Sequence, residues 1–303
     1  MKISVIMSVY NTDADYLRTA IESILNQSLS NFELIIVDDG STTDVKEVIF
    51  SYKDERIKYI YQENQGLGSG RNTGIKAAKG EYITFVDADD RIDKNALEKT
   101  YNKAIENNSD ILFFNWFIYD NNSKQITEYN DSVLNTFDKS DFNKYDNLFN
   151  FNNTGWAKLF KRTFLTENNL FFKEGIIFED TEFFFRYILK TDKIDFLKES
   201  LYYYRCNVKN SIISNFGEKY ADLIQIFESI EKTLIEENVF EKVKIPFYEY
   251  TIKTLYCRYK QVDKSFKKEF KKAISNYLKT FKLNRHEFAK LTWRSRLVVW
   301  FIG

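Results

Sequence analysis

Cysteine, proline and histidine are nearly absent from this chain: two Cys, one Pro and one His in 303 residues. Two cysteines, Cys206 and Cys257, make no disulfide framework and match no metal-ligand spacing. That excludes a stapled secreted scaffold and a zinc module, and leaves free buried thiols in a reducing compartment as the expectation. With Pro246 alone, helices and strands run with few hard stops. No run approaches the roughly 20 apolar residues of a spanning helix. The first apolar run, Ile3 to Val9, is too short for a signal-peptide core and leads into Asn11-Thr12-Asp13, which is no cleavage sequence. The expected location is the cytoplasm.

What is present is a globular composition, 44% hydrophobic and 29% charged, with 28 Phe and 20 Tyr. Most of the aromatics must be core, and some are available to line a sugar or acceptor groove. Net charge is zero, but it is unevenly spread. From Lys253 to Arg296 fourteen Lys or Arg face only Asp263, Glu269 and Glu287, so the rest of the chain is acidic by the same margin. A basic tail suits an anionic surface, membrane or nucleic acid.

The first part alternates strand and helix. Ile3 to Val9, Phe32 to Val37, Ile57 to Tyr61, Tyr82 to Val86 and Ile111 to Phe117 read as strands. The helices between them start near Thr12 or Asp13, after Ser41, after Gly74 and at Asp93. Short connections predict an α/β doubly wound sheet with parallel strands at its centre, whose ligand crevice lies at the carboxyl ends of the strands. Asn11, Asp38 and Asp39, Asn64, and Asp87 with Asp89 all fall at such ends, a clustering that stability alone does not explain. From Tyr119 to Asn153 the pattern fades into a surface excursion suited to shaping an acceptor site. Order returns at Trp156 to Phe164, in an aromatic helix opened by Phe178-Glu179-Asp180, and in a short strand from Leu201 to Arg205. After Phe216 helical spacing prevails, which predicts a domain from 1 to 215, with halves 1–95 and 96–215, and a C-terminal helical extension from 216 to 303.

The stretch Gly80 to Asp90 carries the sharpest signal. A buried strand ends in Asp87, Asp89 and Asp90, and burying carboxylates is costly unless a cation sits beside them. Oxygen donors favour magnesium or manganese; the alternative is a solvated acidic turn. Asp87 and Asp89, at alternate positions past a strand end, can face one crevice. Gly66-Leu67-Gly68-Ser69-Gly70 imitates a dinucleotide fingerprint but follows the third strand rather than the first. Its glycines are expected to allow a tight turn and close approach to a nucleotide. Asp38 and Asp39 suit an Asx-turn or helix cap as well as a ligand.

These motifs together resemble the family 2 glycosyltransferases of the GT-A fold, which bacteria use to build capsular and lipopolysaccharide glycans. The matching segments are Ser4 to Asn11, Leu25-Asn26-Gln27-Ser28, Phe32 to Ser41, Asn64 to Gly74, Gly80 to Asp90, Trp156 to Lys161 and Phe178-Glu179-Asp180. The resemblance spans roughly residues 2 to 215 and implies a Rossmann-like mixed sheet, mostly parallel and flanked by helices. It implies a nucleotide-sugar donor, UDP-linked, held by Val9, Tyr10, Asn11, Asp39, Asn64, Gly66, Arg71, Asp87 and Ala88. Within that set Asp39 would read uracil, Arg71 would sit near the base or phosphates, and Asp87 would contact the ribose. Asp89 would coordinate a divalent cation, Mn2+ or Mg2+, on the diphosphate, and Asp180 would be the base in one inverting displacement. Glu179 would flank the acceptor, and Trp156 would stack on a sugar. Relatives often carry a His or another basic residue after the last strand. Here that loop, Arg205 to Ser211, has no His, which leaves Arg205 or Lys209 for the diphosphate, and His286 lies in the tail.

The end of the tail, Leu291 to Ile302, mixes Trp, apolar residues and Arg like an interfacial helix. A lipid-linked glycan acceptor would make peripheral contact with the inner membrane face useful; ordinary packing or a homodimer face is the alternative. Two rival functions remain at this level, a sugar nucleotidyltransferase and a non-catalytic nucleotide-sugar-binding subunit. Nucleic acid as partner lacks any recognition motif.

Overall fold

A computed structural model of the chain describes residues 1–129, 131–138, 142–208 and 218–302. Lys209 lies outside them. The described residues fall into two compact units: one within 1–142, 152–175 and 179–208, and one within 143–151, 176–178 and 218–302.

The first unit is built on a single sheet. Four strands, β1 (Ile3–Val9), β2 (Phe32–Asp39), β3 (Ile57–Gln62) and β4 (Tyr82–Phe85), alternate with α1 (Ala14–Leu25), α2 (Val45–Phe50) and α3 (Leu67–Ala77). β1 lies between β2 and β4 and β3 lies outside β2, all parallel, with Val9 beside Asp38 and Ile6 beside Phe85. Every residue of β2 is buried and six of the seven in β1 are, which is why both read as unbroken apolar runs: a parallel strand is covered on both faces. Asp13 caps α1, its carboxylate accepting from the amides of Asp15 and Tyr16. Leu17, Ala20, Ile21 and Ile24 turn inward from that helix.

Beyond β4 the sheet becomes mixed. The remaining strands are β5 (Arg91–Ile92), β6 (Ile111–Asp120), β7 (Ile126–Glu128), β8 (Lys158–Lys161) and β9 (Ile194–Cys206), and the order is β3-β2-β1-β4-β8-β6-β9-β5, with β7 on β6. β8 runs antiparallel to both β4 and β6, and β5 and β7 are antiparallel to their partners, whereas β9 is parallel to β6. The parallel ladders are the long ones and the antiparallel ones, all made by β5, β7 or β8, are short, so the sheet is mixed and mostly parallel, as expected from the sequence. β9 is longer than the short strand expected, and β6 runs three residues further than expected. The helices on this side are α4 (Ala96–Glu106), α5 (Ser132–Thr136), α7 (Arg162–Glu167) and α8 (Glu179–Lys190), while the intervening α6 (Lys144–Asn147) belongs to the second unit.

The second unit contains α9 (Asp222–Glu236), α10 (Phe240–Gln261), α11 (Lys267–Leu278), α12 (Arg285–Lys290) and α13 (Trp293–Ile302). Its core includes Phe227, Leu234, Phe247, Tyr248, Leu255 and Phe270, each fully buried. It draws in 143–151 and 176–178, segments that a boundary at 215 would leave with the sheet. His286 is exposed on α12. The expectation of buried thiols fails: both cysteines are free, but Cys206 is half-buried and Cys257 exposed.

Candidate functional site

The carboxyl ends of β1, β2 and β4 form one rim, and two groups of polar residues gather there. The first joins β1 to the loop after β2. Asn11 takes a left-handed backbone, φ 49°, which Asn tolerates better than most residues. Its side-chain oxygen accepts from the amide of Thr42 at 2.7 Å, and its own N–H donates to Ser41 Oγ at 3.0 Å. Asp38 is consumed structurally, accepting from Ser41 N at 2.9 Å and the Tyr59 hydroxyl at 2.8 Å. Asp39, buried, accepts from Gln62 Nε2 at 2.7 Å, Gln65 N at 3.0 Å and Gly66 N at 2.8 Å. In this state its carboxylate pins the turn that opens α3. Gly66 makes that turn with φ 90°. Asn64 lies in the same loop, exposed, against Gly40, where an added Cβ would stand 2.7 Å from the Asn64 amide. Val9 is fully buried, so only its backbone faces the rim, whereas Tyr10 is 53% exposed.

Gly66 makes the tight turn expected of the stretch Gly66 to Gly74, and the glycines after it have a packing role. Beyond Gly66 they are not a loop but the body of α3. A Cβ at Gly70 would meet Ser8 Oγ at 2.2 Å, and one at Gly74 would meet Ile6 Cγ2 at 2.3 Å. They let α3 lie directly on β1, a packing role.

That close approach carries Arg71 into the interior. Its guanidinium, 3% exposed, donates from Nη2 to Asp87 Oδ1 at 3.0 Å and from Nη1 to Glu179 Oε1 at 2.9 Å. The rings of Phe172 and Phe85 lie 5.2 and 5.8 Å away. Burial alone would lower the arginine pKa, but Asp87, Glu179 and Asp180 outweigh it and hold the group charged. Gly155 leaves room for the guanidinium: a Cβ there would stand 3.0 Å from Nη1. Asn72, next on α3, exchanges two hydrogen bonds with the backbone of Phe172, 2.8 Å each, and so ties down the segment before α8.

The three acids after β4 separate into three environments. Asp87 pairs with Arg71, and its amide donates to the Tyr202 hydroxyl at 3.2 Å. Asp90 is buried and accepts from the Tyr202 hydroxyl at 2.6 Å and the Arg205 amide at 2.7 Å. Burial and the neighbouring Asp89 and Asp87 push its pKa well up. Asp89, half-buried, reaches no guanidinium, ammonium or hydroxyl among the described residues; burial first and then Asp87 push its carboxyl up to about 6. Ala88, between them, is buried. Arg205 is nearly buried, its Nε donating to the Asp89 carbonyl at 2.7 Å and its guanidinium lying 4.4 and 4.8 Å from the Tyr16 and Tyr119 rings. It braces the acidic turn from behind.

Among the described residues no three His, Cys, Asp or Glu side chains converge as a closed metal cage. The donor chemistry nevertheless fits a hard cation carried partly by its substrate. Asp89 is a carboxylate raised first by burial and then by the charge of Asp87, both of which a divalent ion would offset, and magnesium commonly binds through one or two carboxylates plus phosphate oxygens.

Glu179 and Asp180 open α8, at the positive end of its dipole. Burial first and Asp180 second push Glu179 up to about 7, with Arg71 pulling the other way. Burial raises the Asp180 carboxyl, while Arg71, its bond from the Thr181 amide and Lys158 favour the charged form. Lys158, fully buried on β8, donates to the carbonyls of Thr154 at 2.7 Å and Trp156 at 3.2 Å, and desolvation lowers its amine to about 7. It holds a bend in which Ala157 has φ 55°. Trp156 is 8% exposed, stacked on Tyr202 and Tyr204 at centroid distances of 4.9 and 5.2 Å and edge-on to Trp116. It is a core residue beneath the site, not an open platform. Lys158 and Tyr202 escaped the sequence reading as site residues; a lysine in an apolar strand and a tyrosine in Tyr-Tyr-Tyr-Arg were the only signals.

A parallel half-sheet that ends in Asp87-Ala88-Asp89, continued as a mixed sheet with an acid-led helix, is the plan of a GT-A glycosyltransferase. The chain belongs to glycosyl transferase family 2, whose profile matches residues 4–168. It is 32% identical over 237 residues to glycosyltransferase GlyG of Streptococcus pneumoniae serotype 4, covering 74% of this chain and 78% of that one. It is 32% identical over 254 residues to the putative glycosyltransferase EpsH of Bacillus subtilis, covering 80% and 72%. In fold it matches the crystal structure of S. aureus TarS residues 1–349 in complex with UDP-GlcNAc, with a TM-score of 0.81, 20% identity, all of this chain and 87% of that one.

Proposed function

We propose that this glycosyltransferase moves a sugar from a UDP-linked donor to a hydroxyl of a glycan or lipid-linked glycan in cell-surface polysaccharide synthesis, with inversion at the anomeric carbon. The observation that carries the reading is the double bridge of Arg71, which ties Asp87 of the donor-side acids to Glu179, next to Asp180. TarS, matched in fold, was crystallised in complex with UDP-GlcNAc, and Asp39, whose carboxylate now holds the Gln65-Gly66 turn, would accept from a base edge at that rim.

Asp89, with Asp87 beside it, would hold Mn2+ or Mg2+. Such a cation, when bound, neutralises charge on the departing diphosphate. The residues of the chain do the rest. Asp180, whose carboxyl burial makes a stronger base while Arg71 and Lys158 partly offset that rise, takes the proton of the acceptor hydroxyl as that oxygen bonds to the anomeric carbon. The bond from that carbon to the diphosphate oxygen breaks, and the UDP oxygen keeps the electron pair. Asp90, Tyr202 and Arg205 keep the acidic turn from collapsing into the space the donor needs. The enzyme would work at the cytoplasmic face of the membrane, where a lipid-linked acceptor is presented.

The test is transfer from a panel of UDP-, GDP- and TDP-sugars with and without Mn2+, read by mass spectrometry of the products. UDP-sugar turnover that needs the metal supports the reading; turnover confined to another nucleotide, or unaffected by chelation, overturns it.

A further inference from the structure

The end of the second unit presents a helix face that packing within the unit leaves open. Glu249 of α10 accepts from the Thr292 amide at 3.1 Å and from the hydroxyls of Thr292 and Ser295, the latter at 2.7 Å. These bonds fix how α13 is rotated. Ser295 and Ile302 are then 1% and 4% exposed, whereas Trp293, Leu297, Trp300 and Phe301 are 61, 53, 84 and 57% exposed. At about 100° per residue, the four exposed apolar residues fall within an arc of roughly 100°. Arg296 stands at one edge of that arc and Arg294 at the other, both exposed. Lys271 of α11 holds its ammonium 4.3 Å from the Phe301 ring, adding a third cation at the margin.

We infer that α13 is a membrane-docking helix that lies flat in the headgroup layer of an anionic bilayer, with Trp293, Leu297, Trp300 and Phe301 inserted and Arg294, Arg296 and Lys271 on lipid phosphates. The apolar residues of α13 occupy one arc with cations at its margins rather than the whole circumference, which is the pattern of a helix that lies along a bilayer surface. Tryptophan with arginine at the apolar margin is the composition of the bilayer interface. Charge chooses the occupant. The stretch from Lys253 to Arg296 is strongly positive, and a two-fold contact would set Arg294, Arg296 and Lys271 against their own copies, whereas anionic headgroups match all three. This inference deepens the membrane-facing part of the proposed function and rests on it only for which leaflet is met.

The experiment is flotation of the full chain with vesicles of phosphatidylcholine, alone or with phosphatidylglycerol as roughly a third of the lipid. Wild type is expected to float with the anionic vesicles and to be released by salt. The triple variant Trp293→Ser/Trp300→Ser/Phe301→Ser and the pair Arg294→Glu/Arg296→Glu should each weaken binding at least about tenfold. Trp293→Phe/Trp300→Phe should bind nearly as wild type, which controls for folding. All are expected to keep stabilisation by UDP, so that failure here is separate from failure of the sugar-transfer reading. Absence of wild-type flotation, unchanged binding of both disruptive variants, or a dimer in sedimentation that the triple variant dissociates would overturn the inference.

Discussion

Asp87 and Glu179 share one arginine: Arg71 spans them with bonds of 3.0 and 2.9 Å from its two terminal nitrogens. One carboxylate follows strand β4 and the other opens helix α8, and 92 positions of sequence (179 − 87) separate them. A buried, forked cation of this kind fixes distance as well as charge, because the guanidinium is planar and pre-organised.

Removing that cation should be severe. Arg71→Met is expected to destabilise the protein by about 3–5 kcal/mol, since it strands two carboxylates in a desolvated site. Arg71→Lys should recover little, because one ammonium cannot reproduce the fork. Urea denaturation checks both, and a loss below about 1 kcal/mol for Arg71→Met would show that the bridge is not a stabilising element.

Asp89 is predicted to trade stability for function. Its folded-state pKa of about 6 lies above the ordinary value of 3.8, so the native state binds the extra proton and stability falls as pH rises through that window. Asp89→Asn removes the strain of an ionised carboxylate. At pH 8 without metal the variant should melt no lower than wild type, while metal-stimulated transfer should drop about 10²–10³-fold. Equal loss of stability and activity would instead mark Asp89 as structural.

Asp180→Asn should leave UDP binding in place and lower the rate of transfer by about 10²–10⁴-fold, the usual range for a positioned base. Calorimetric UDP titration beside a turnover assay separates the two effects. Retained turnover would remove Asp180 from the chemistry and leave it a helix-opening acid.

Lys158 has a folded-state pKa of about 7 against an ordinary 10.5, with burial as the main cause. The unfolded chain therefore holds the proton longer, and stability from this group rises as pH climbs from about 7 to about 10.5. Lys158→Met should abolish that rise and cost about 1–3 kcal/mol near pH 9 by leaving the Thr154 carbonyl unpaired, the Trp156 carbonyl keeping the Thr154 hydroxyl. Urea midpoints measured across that pH range for both proteins test it.

The parallel half of the fold was legible because its strands are covered on both faces and so spell continuous apolar runs, and because their polar ends coincide at one rim. Of the rest, β6 and the end of β9 were read as strands, but β5, β7 and β8 were not. β5 has two residues and β8 four, too short for any periodicity, and β8 contains a fully buried lysine that argues against a core strand. The glycines of α3 read as a loop because glycine is a poor helix former; only the contact of Gly70 with Ser8 and Gly74 with Ile6 explains them. Convergence of Arg71, Asp87 and Glu179 depends on how far α3 sinks onto β1, a tertiary distance that no local pattern encodes. Trp156 was singled out by its residue type, and the stacking of two tyrosines against it shows why a tryptophan is there.

The four tryptophans of the chain fall into two optical populations. Trp116 and Trp156 are enclosed by aromatic neighbours in the sheet, at 7 and 8% exposure, whereas Trp293 and Trp300 on α13 stand in water at 61 and 84%. Intrinsic fluorescence should therefore contain a blue component shielded from quenchers and a red one open to iodide. The first reports on the ground beneath the acidic turn, the second on the tail, so a single unlabelled sample reads the sheet unit and the helical unit at once.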